Sequence, residues 1–549
     1  MIEFIPPWIL WLTAILGIII GCIYILITWD YRYWMKRGVP TLPPKFPFGN
    51  LSDLFLARRP PQDFYRELYD RFEGQRYAGF VAINEPFLMP RDPELIKSIL
   101  VKEFSHFHDR GLPADESYDP MSLNLFNLNG KRWNVLRNKL SPTFTSGKMK
   151  GMFPLLRKIA DELRETIERE IAASGSEVEL KELVARYATD AIASVAFGVD
   201  GGSLVDSNAE FRTKARLVFS NSLLNHLRTT ATLVAPQLSY KVGVETFDPI
   251  AVDYFVKVVK EAVDYRKKNA VKRADFLQLL MGLREGDGKS SSDEILFSEV
   301  PLRNVSFSHR EGYIAHLCIL LVSLTKAELE AQCMLFYTAG FETTASLLSF
   351  CIYELSQNSS IQEQLRSEVD AVIKSHGGEV TYQGLAEMRL MDRVLNETMR
   401  KYPSLPMLFR ECTKEFIIPP ATGDAKRWKA ETVNGGTLIE VGTKIHIPLA
   451  GLNYDSQYFP DPERFDPDRF SDEAIKSRQP YVFLPFGEGP RICIGMRYGM
   501  MQSAVALAYL VYHFKFRPSE RTTHPILFDK CSIFLAAKGG CWVQISKRD

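Results

Sequence analysis

The chain is poor in cysteine. Eight residues, Cys22, Cys318, Cys333, Cys351, Cys412, Cys493, Cys531 and Cys541, are spread over 549 positions, and none forms a C-x-x-C pair. That scarcity excludes the disulfide framework of small secreted domains. It suits a reducing compartment in which most thiols are small buried residues. Net charge is also lacking, at +1, so nothing global recruits nucleic acid or an acidic polymer. No internal repeat and no low-complexity linker follows residue 50. No second apolar run reaches membrane-spanning length without a charge. What remains is a chain 46% hydrophobic, ample for a large core. Length alone would suit about three domains, but the composition changes only near the N-terminus.

There, Trp8 to Trp29 reads "WILWLTAILGIIIGCIYILITW" and carries no charge. At 1.5 Å rise per residue it is long enough to cross a bilayer. Its Ile and Leu residues favour insertion by about 4 to 7 kcal/mol in sum. Trp8, Trp11, Trp29, Tyr31, Tyr33 and Trp34 flank it like an aromatic belt. A cleaved signal peptide would be shorter and would end in small residues. Arg32, Lys36 and Arg37 follow the run and only Glu3 precedes it, so the positive-inside rule puts the rest of the chain on the cytoplasmic face. "GVPTLPPKFPFGN" comes next, a stiff Pro-rich connector. The expected organisation is a membrane anchor over 1–37, a hinge over 38–50 and one soluble body over 51–549.

Within the body the patterns predict long helices over 155–173, 325–357 and 387–401. Thr325 and Glu328 are placed to form a capping box. Strand-like stretches are few, at 77–83 and 443–448. The expected class is mainly α with a minor β-sheet.

Three motifs carry chemistry. "AGFETT" (339–344) lies in the second long helix. Gly340 there costs about 1 kcal/mol against Ala, which implies a close approach or a kink. Thr343 can bond back to the Ala339 carbonyl and open the helix ladder, beside the acid Glu342. A small ligand and its proton supply would need that grouping; a packing glycine with a locally satisfied threonine is the plainer reading. "ETMR" places Glu397 and Arg400 one turn apart, and "FPDPERF" adds Arg464. A buried acid clamped by two arginines, or an ordinary surface pair, both fit. "FGEGPRICIG" (486–495) sets Cys493 among glycines, two residues after Arg491 and just before a helical stretch. Zinc would want further Cys or His ligands nearby. A nucleophile would want a His base, and His446 and His513 have no telling spacing. Turn-directed N–H groups, Arg491 and a helix N-terminus instead favour a lone thiolate. A single thiolate suits one axial bond to a metal whose other ligands come from a cofactor.

Taken together, "FGEGPRICIG", "AGFETT", "ETMR" and "PERF" resemble those of a cytochrome P450, over essentially the whole chain. The anchor and hinge are similar to those of the microsomal members, and "KYPSLPMLFRECTK" looks like the insect detoxification branch. The resemblance implies the P450 fold and a haem b whose iron is ligated by Cys493, with Phe486 shielding the sulfur. It implies Trp133, Arg137, Arg491 and Arg410 as partners of the haem propionates, since the planar arginine fork meets carboxylates bidentately. Ala339 and Gly340 would face the cofactor. Thr343 and Glu342 would position oxygen and relay protons, and Glu397, Arg400 and Arg464 would form a structural triad. It further implies insertion of one O₂ oxygen into lipophilic small molecules such as xenobiotics, insecticides, plant toxins or hormones. Electrons would come from NADPH through cytochrome P450 reductase, with cytochrome b5 as a second donor. The setting would be the endoplasmic reticulum membrane. Lys139, Arg491 and Arg497 are candidates to meet the reductase. The substrate cavity is expected between the long helix and residues 105–126, walled by Phe107, Leu125, Phe126, Leu405, Leu408, Ile533 and Phe534. His106 and His108 read as ordinary loop residues, not a metal site.

Two stretches depart from the family pattern: the apolar segment 297–323 before the long helix, and the long connection 419–436. Two competing functions stay open on these residues. One is a haem-thiolate isomerase or dehydratase needing no reductase. The other is a non-catalytic, membrane-bound ligand-binding protein.

Overall fold

The computed structural model describes residues 7–548 apart from 118, 219–221, 235, 246, 286–323 and 420–434. The segment 297–323 and nearly all of 419–436 therefore lie outside the described residues.

The helix Pro7–Thr28 has exposed side chains along its length and is long and apolar enough to cross a membrane. The residues after it behave differently from the expected belt. Trp34 is fully buried, and its indole Nε1 donates to Phe80 O at 3.0 Å. Its ring lies so close to Gly79 that an added Cβ would stand 2.3 Å from it. Tyr33 donates to Glu440 at 2.8 Å, and Arg37 pairs with the same carboxylate at 2.8 Å. Trp34 is thus a plug in the body and not a membrane-interface residue. The Pro-rich stretch is docked as well: Gly79 N donates to Pro40 O at 2.8 Å, and Asn50 and Val81 exchange hydrogen bonds.

The chain segment after the anchor seats on a four-stranded sheet. Its order is Tyr77–Ala82, Glu85–Pro90, Lys444–Ile447, Leu408–Glu411. The outer pairs are antiparallel and the central pair is parallel. The strands predicted at 77–83 and 443–448 are present; Glu85–Pro90, with a proline at position 86 and another at its end, gave no such signal. A three-stranded sheet joins Glu177–Glu179, Trp542–Lys547 and Phe514–Pro518.

The first long helix runs Ser146–Ser174, well ahead of its predicted start at 155. Pro154 sits inside it, and proline costs a helix interior about 3 kcal/mol. Met149, Met152, Phe153 and Leu156 are all buried around that turn, and burying four such side chains contributes more than the proline removes. The second runs Lys326–Gln357 and opens on the expected capping box, with both reciprocal bonds between Thr325 and Glu328 formed. Most of its residues are buried, so it is the spine of the main core. The helices Leu180–Ile192, Arg389–Lys401 and Met496–His513 pack around it.

Glu397 and Arg400 are completely buried and joined twice, at 2.7 and 2.9 Å. Arg400 also donates to Asn453 O at 3.0 Å, and Asp466 N donates to Glu397 at 2.9 Å. The second arginine at Glu397 is Arg469, 3.5 Å away and nearly buried, and not Arg464, whose side chain is exposed. "PDPERFDPDRF" repeats its pattern once, and the fold uses the second copy. Arg469→Ala is expected to destabilise the protein by about 2 kcal/mol, because it strips a charge partner from a buried acid. Arg464→Ala should stay within about 0.5 kcal/mol. Thermal or urea unfolding of the two variants decides between them; equal effects would return the role to Arg464.

Candidate active site

The stretch Phe486–Gly495 forms a loop that runs directly into the helix Met496–His513. Gly489 has a φ of +74°, and a Cβ there would stand 2.1 Å from Leu100 O. Only glycine accepts both the conformation and the approach. The turn lets Cys493 N donate to Phe486 O at 2.9 Å. The thiol then lies exposed on the wall of a cavity of about 520 Å³. Burial pushes the Cys493 pKa up, while the Gly495 N–H and the Arg137 and Arg110 guanidiniums act against it. A thiol in that balance ionises when a metal cation takes the sulfur.

The long helix supplies the opposite wall through Ala339, Gly340, Glu342 and Thr343. Thr343 Oγ1 donates to Ala339 O at 2.6 Å, the back-bond expected from the sequence. Gly340 has a different neighbour from a ligand alone. A Cβ there would meet Ile192 Cδ1 at 2.5 Å, so the glycine lets the long helix close on Leu180–Ile192. The same helix sends Lys181 to Glu342. Their ion pair is 2.6 Å long, with Glu342 buried and Lys181 reaching toward the surface.

Four arginines converge on the cavity: Arg110, Arg137, Arg410 and Arg491. Arg491 lies over the Trp133 ring, 4.1 Å from its centroid, and pairs with Asp109 at 3.1 Å. Its Nη2 also donates to Leu128 O at 2.9 Å. Asp109 is itself fixed by Gly130 N and by His108 Nδ1. Burial pushes Arg410 down to about 9, with Arg491 adding repulsion, and burial pushes Arg491 down to about 10. Arg410 Nε and Arg491 Nη1 are buried donors without a hydrogen-bond partner among the described residues. A surplus of buried guanidinium charge with unused donors calls for an anion, and the planar fork suits carboxylates.

Leu125, Phe126, Leu405, Leu408, Ile533 and Phe534 line this cavity as expected from the sequence. Phe107 does not: it is fully buried and packs on Phe416, 5.4 Å between centroids. Sequence reasoning missed Arg110, Asp109 and Lys181. Arg110 and Asp109 stand together in "HDRGLP", and Arg110, the one Lys or Arg in the loop 105–126, was the available signal. Lys181 gave none.

The cytochrome P450 family model matches residues 39–302 and 313–542. The chain belongs to the cytochrome P450 family. It is 36% identical to probable cytochrome P450 6a13 of Drosophila melanogaster, over 95% of this chain and 96% of the relative. It is 36% identical to cytochrome P450 6k1 of Blattella germanica, over 96% and 95%. Cytochrome P450 6a2 of Drosophila melanogaster is 34% identical over 94% and 96%. The chain is a monooxygenase of the haem-thiolate type, and the family's haem carries iron on a cysteine thiolate. The cavity fits that group: one thiol on one wall, orphaned guanidinium donors for two carboxylates, and an apolar lining between them.

Arg410→Leu removes one buried donor set. Transfer of haem from the loaded protein to an acceptor globin is expected to become about tenfold faster, the size of one charge-assisted bond. Arg497→Leu should leave that rate unchanged. An unchanged rate in Arg410→Leu would remove Arg410 from the propionate site.

Proposed function

We propose that this chain is an NADPH-dependent monooxygenase of the endoplasmic reticulum membrane that acts on lipophilic small molecules. Cys493 ligates the haem iron, with Phe486 beside the sulfur. Trp133, Arg137, Arg410, Arg491 and Arg110 hold the propionates. The single observation that carries this is a free thiol and unpartnered arginine donors lining one cavity.

Bound haem supplies oxygen activation, with electron density from the thiolate favouring O–O cleavage. The chain's own residues hold the substrate and manage protons. Thr343 keeps its hydroxyl on the cavity wall, tied to Ala339 O at 2.6 Å within an unbroken helix. Glu342 is the acid behind it, and Lys181 links that acid to the surface at 2.6 Å. The reaction consumes a hydrocarbon, O₂, NADPH and a proton, and yields an alcohol, water and NADP⁺. A supply of protons to the cavity is therefore required, and Thr343, Glu342 and Lys181 would provide it.

Electrons come from cytochrome P450 reductase, and cytochrome b5 is a second donor. Lys139, Arg491 and Arg497 were read as contacts for an acidic partner. Arg491 is almost fully buried and committed to Asp109 and Leu128, so it belongs to the cavity, not to that surface. The exposed apolar helix Pro7–Thr28 supports the single-pass anchor, and the basic residues after it support a cytoplasmic body. The resemblance to relatives of the insect P450 6 group supports xenobiotic or hormone oxidation.

The protein reduced and exposed to carbon monoxide is expected to show a strongly red-shifted Soret band, which Cys493→Ser abolishes. With reductase, NADPH should be consumed in step with product. In Thr343→Ala, consumption should persist while most electrons leave as hydrogen peroxide. Unchanged coupling in that variant would sink the relay assignment. Turnover without NADPH would favour an isomerase or dehydratase instead.

A further inference from the structure

The cavity has an arm toward the four-stranded sheet, and that arm holds a polar pair the oxygen chemistry does not use. His446 lies on the strand Lys444–Ile447, directly opposite Phe409 of the neighbouring strand. Phe87 meets its ring edge-on at 4.8 Å, and Phe80 stands 5.8 Å away. Its Nδ1 is 2.7 Å from the hydroxyl of Tyr65, on the helix Pro61–Asp70. His446 is 6% exposed and Tyr65 1%, yet both line the cavity that Cys493 faces. Tyr65 is the hydrogen-bond partner of the His446 ring among the described residues, and Nε2 is not one of the buried orphan atoms but keeps accessible surface.

The protonation states follow from the surroundings. Burial, with Lys444 adding to it, pushes His446 down to about 3, so the ring is neutral at physiological pH. Lys444 is itself held by Glu411 and by Gly111 O. Burial also raises Tyr65, which keeps its hydroxyl proton. A neutral imidazole carries one N–H, and two arrangements exist. If Nδ1–H donates to Tyr65, the Tyr65 hydroxyl proton is stranded. If Tyr65 donates to Nδ1, the buried hydroxyl proton is matched and the ring proton sits on the accessible Nε2. A buried unmatched polar group costs about 1–3 kcal/mol, so the second arrangement wins. Tyr65 therefore locks the tautomer, and a pair that merely filled core would leave no donor over.

We infer that Tyr65 and His446 form a substrate-recognition subsite that presents one N–H donor within an aromatic cage. It takes a lipophilic molecule bearing a single hydrogen-bond acceptor, such as a ketone, ester or ether oxygen, flanked by flat apolar surface. This rests on the monooxygenase reading only for the word substrate; the binding chemistry stands on the pair itself. His446 contacts the ligand. Tyr65 is a positioning residue that acts through it.

The test uses the full-length haem-loaded protein and two flat probes that differ by one oxygen, 9-fluorenone and fluorene. Equilibrium dialysis gives the Kd of each. Wild type is expected to bind fluorenone about tenfold tighter than fluorene. His446→Phe should abolish that preference while keeping the fluorene Kd within about twofold. Tyr65→Phe releases the tautomer lock and should cut the preference to about threefold. A preference near one in wild type, or an unchanged preference in His446→Phe, would overturn the subsite. If His446→Phe does not fold, wild type and Tyr65→Phe still decide. The reduced carbon monoxide spectrum of the same samples reports the thiolate reading separately, so either assignment can fail alone.

Discussion

Buried positive charge is the constraint around which this structure is arranged. Arg110, Arg137, Arg410 and Arg491 surround one cavity, and among the described residues Asp109 is the carboxylate ion-paired to any of the four, through Arg491. Desolvating guanidinium costs several kcal/mol per group, even after relaxation. That cost yields a cradle complementary to a pair of carboxylates. The cradle also biases the sulfur. Arg137 and Arg110 oppose the effect of burial on Cys493. One electrostatic choice thus serves both ends of the proposed cofactor, its metal and its acidic edge.

Such a cradle works only on rigid supports. Arg410 rides a strand of the four-stranded sheet, Arg137 a helix, and Arg491 the loop before Met496–His513. The Glu397–Arg400 pair locks the helix Arg389–Lys401 to the irregular segment carrying Arg469 and Asp466. Trp34 does the equivalent at the other end, seating the chain from the anchor on Gly79 and Phe80. Close helix packing is equally a precondition. Gly340 brings the long helix against Ile192, and Lys181, near the start of that neighbouring helix, reaches Glu342. The glycine therefore acts on the Lys181–Glu342 pair through packing, whatever it does for a ligand.

The sequence was legible where chemistry and local rules agree. The capping box at Thr325 and Glu328, the back-bond of Thr343 and the turn around Cys493 each depend on neighbours within a few residues. The reading failed where distant contacts override local preference. The helix predicted from 155 begins at Ser146, and buried side chains on both sides of Pro154 carry it through that proline. Trp34 belonged by composition to an interfacial belt, and only the missing Cβ of Gly79 shows where it goes. Arg464 and Arg469 stand in the two copies of a short repeat, and spacing alone could not say which copy meets Glu397. Phe107 looked like a cavity wall because its loop is one, but the ring turns into the sheet-side core.

His446 shows the same limit from the other side. Read from the chain it was a histidine without telling spacing, rejected as a base for Cys493. Its meaning comes from an antiparallel register that sets it opposite Phe409 and from a helix more than 350 positions away that delivers Tyr65. An aromatic cage strengthens any hydrogen bond made inside it and penalises any left unmade. That asymmetry favours discrimination. A lipophilic ligand without an acceptor gains apolar burial but leaves the Nε2 donor dry, whereas one with an acceptor gains both. Apolar lining near Cys493 gives breadth of substrate; a single donor in the sheet-side arm narrows it by one functional group.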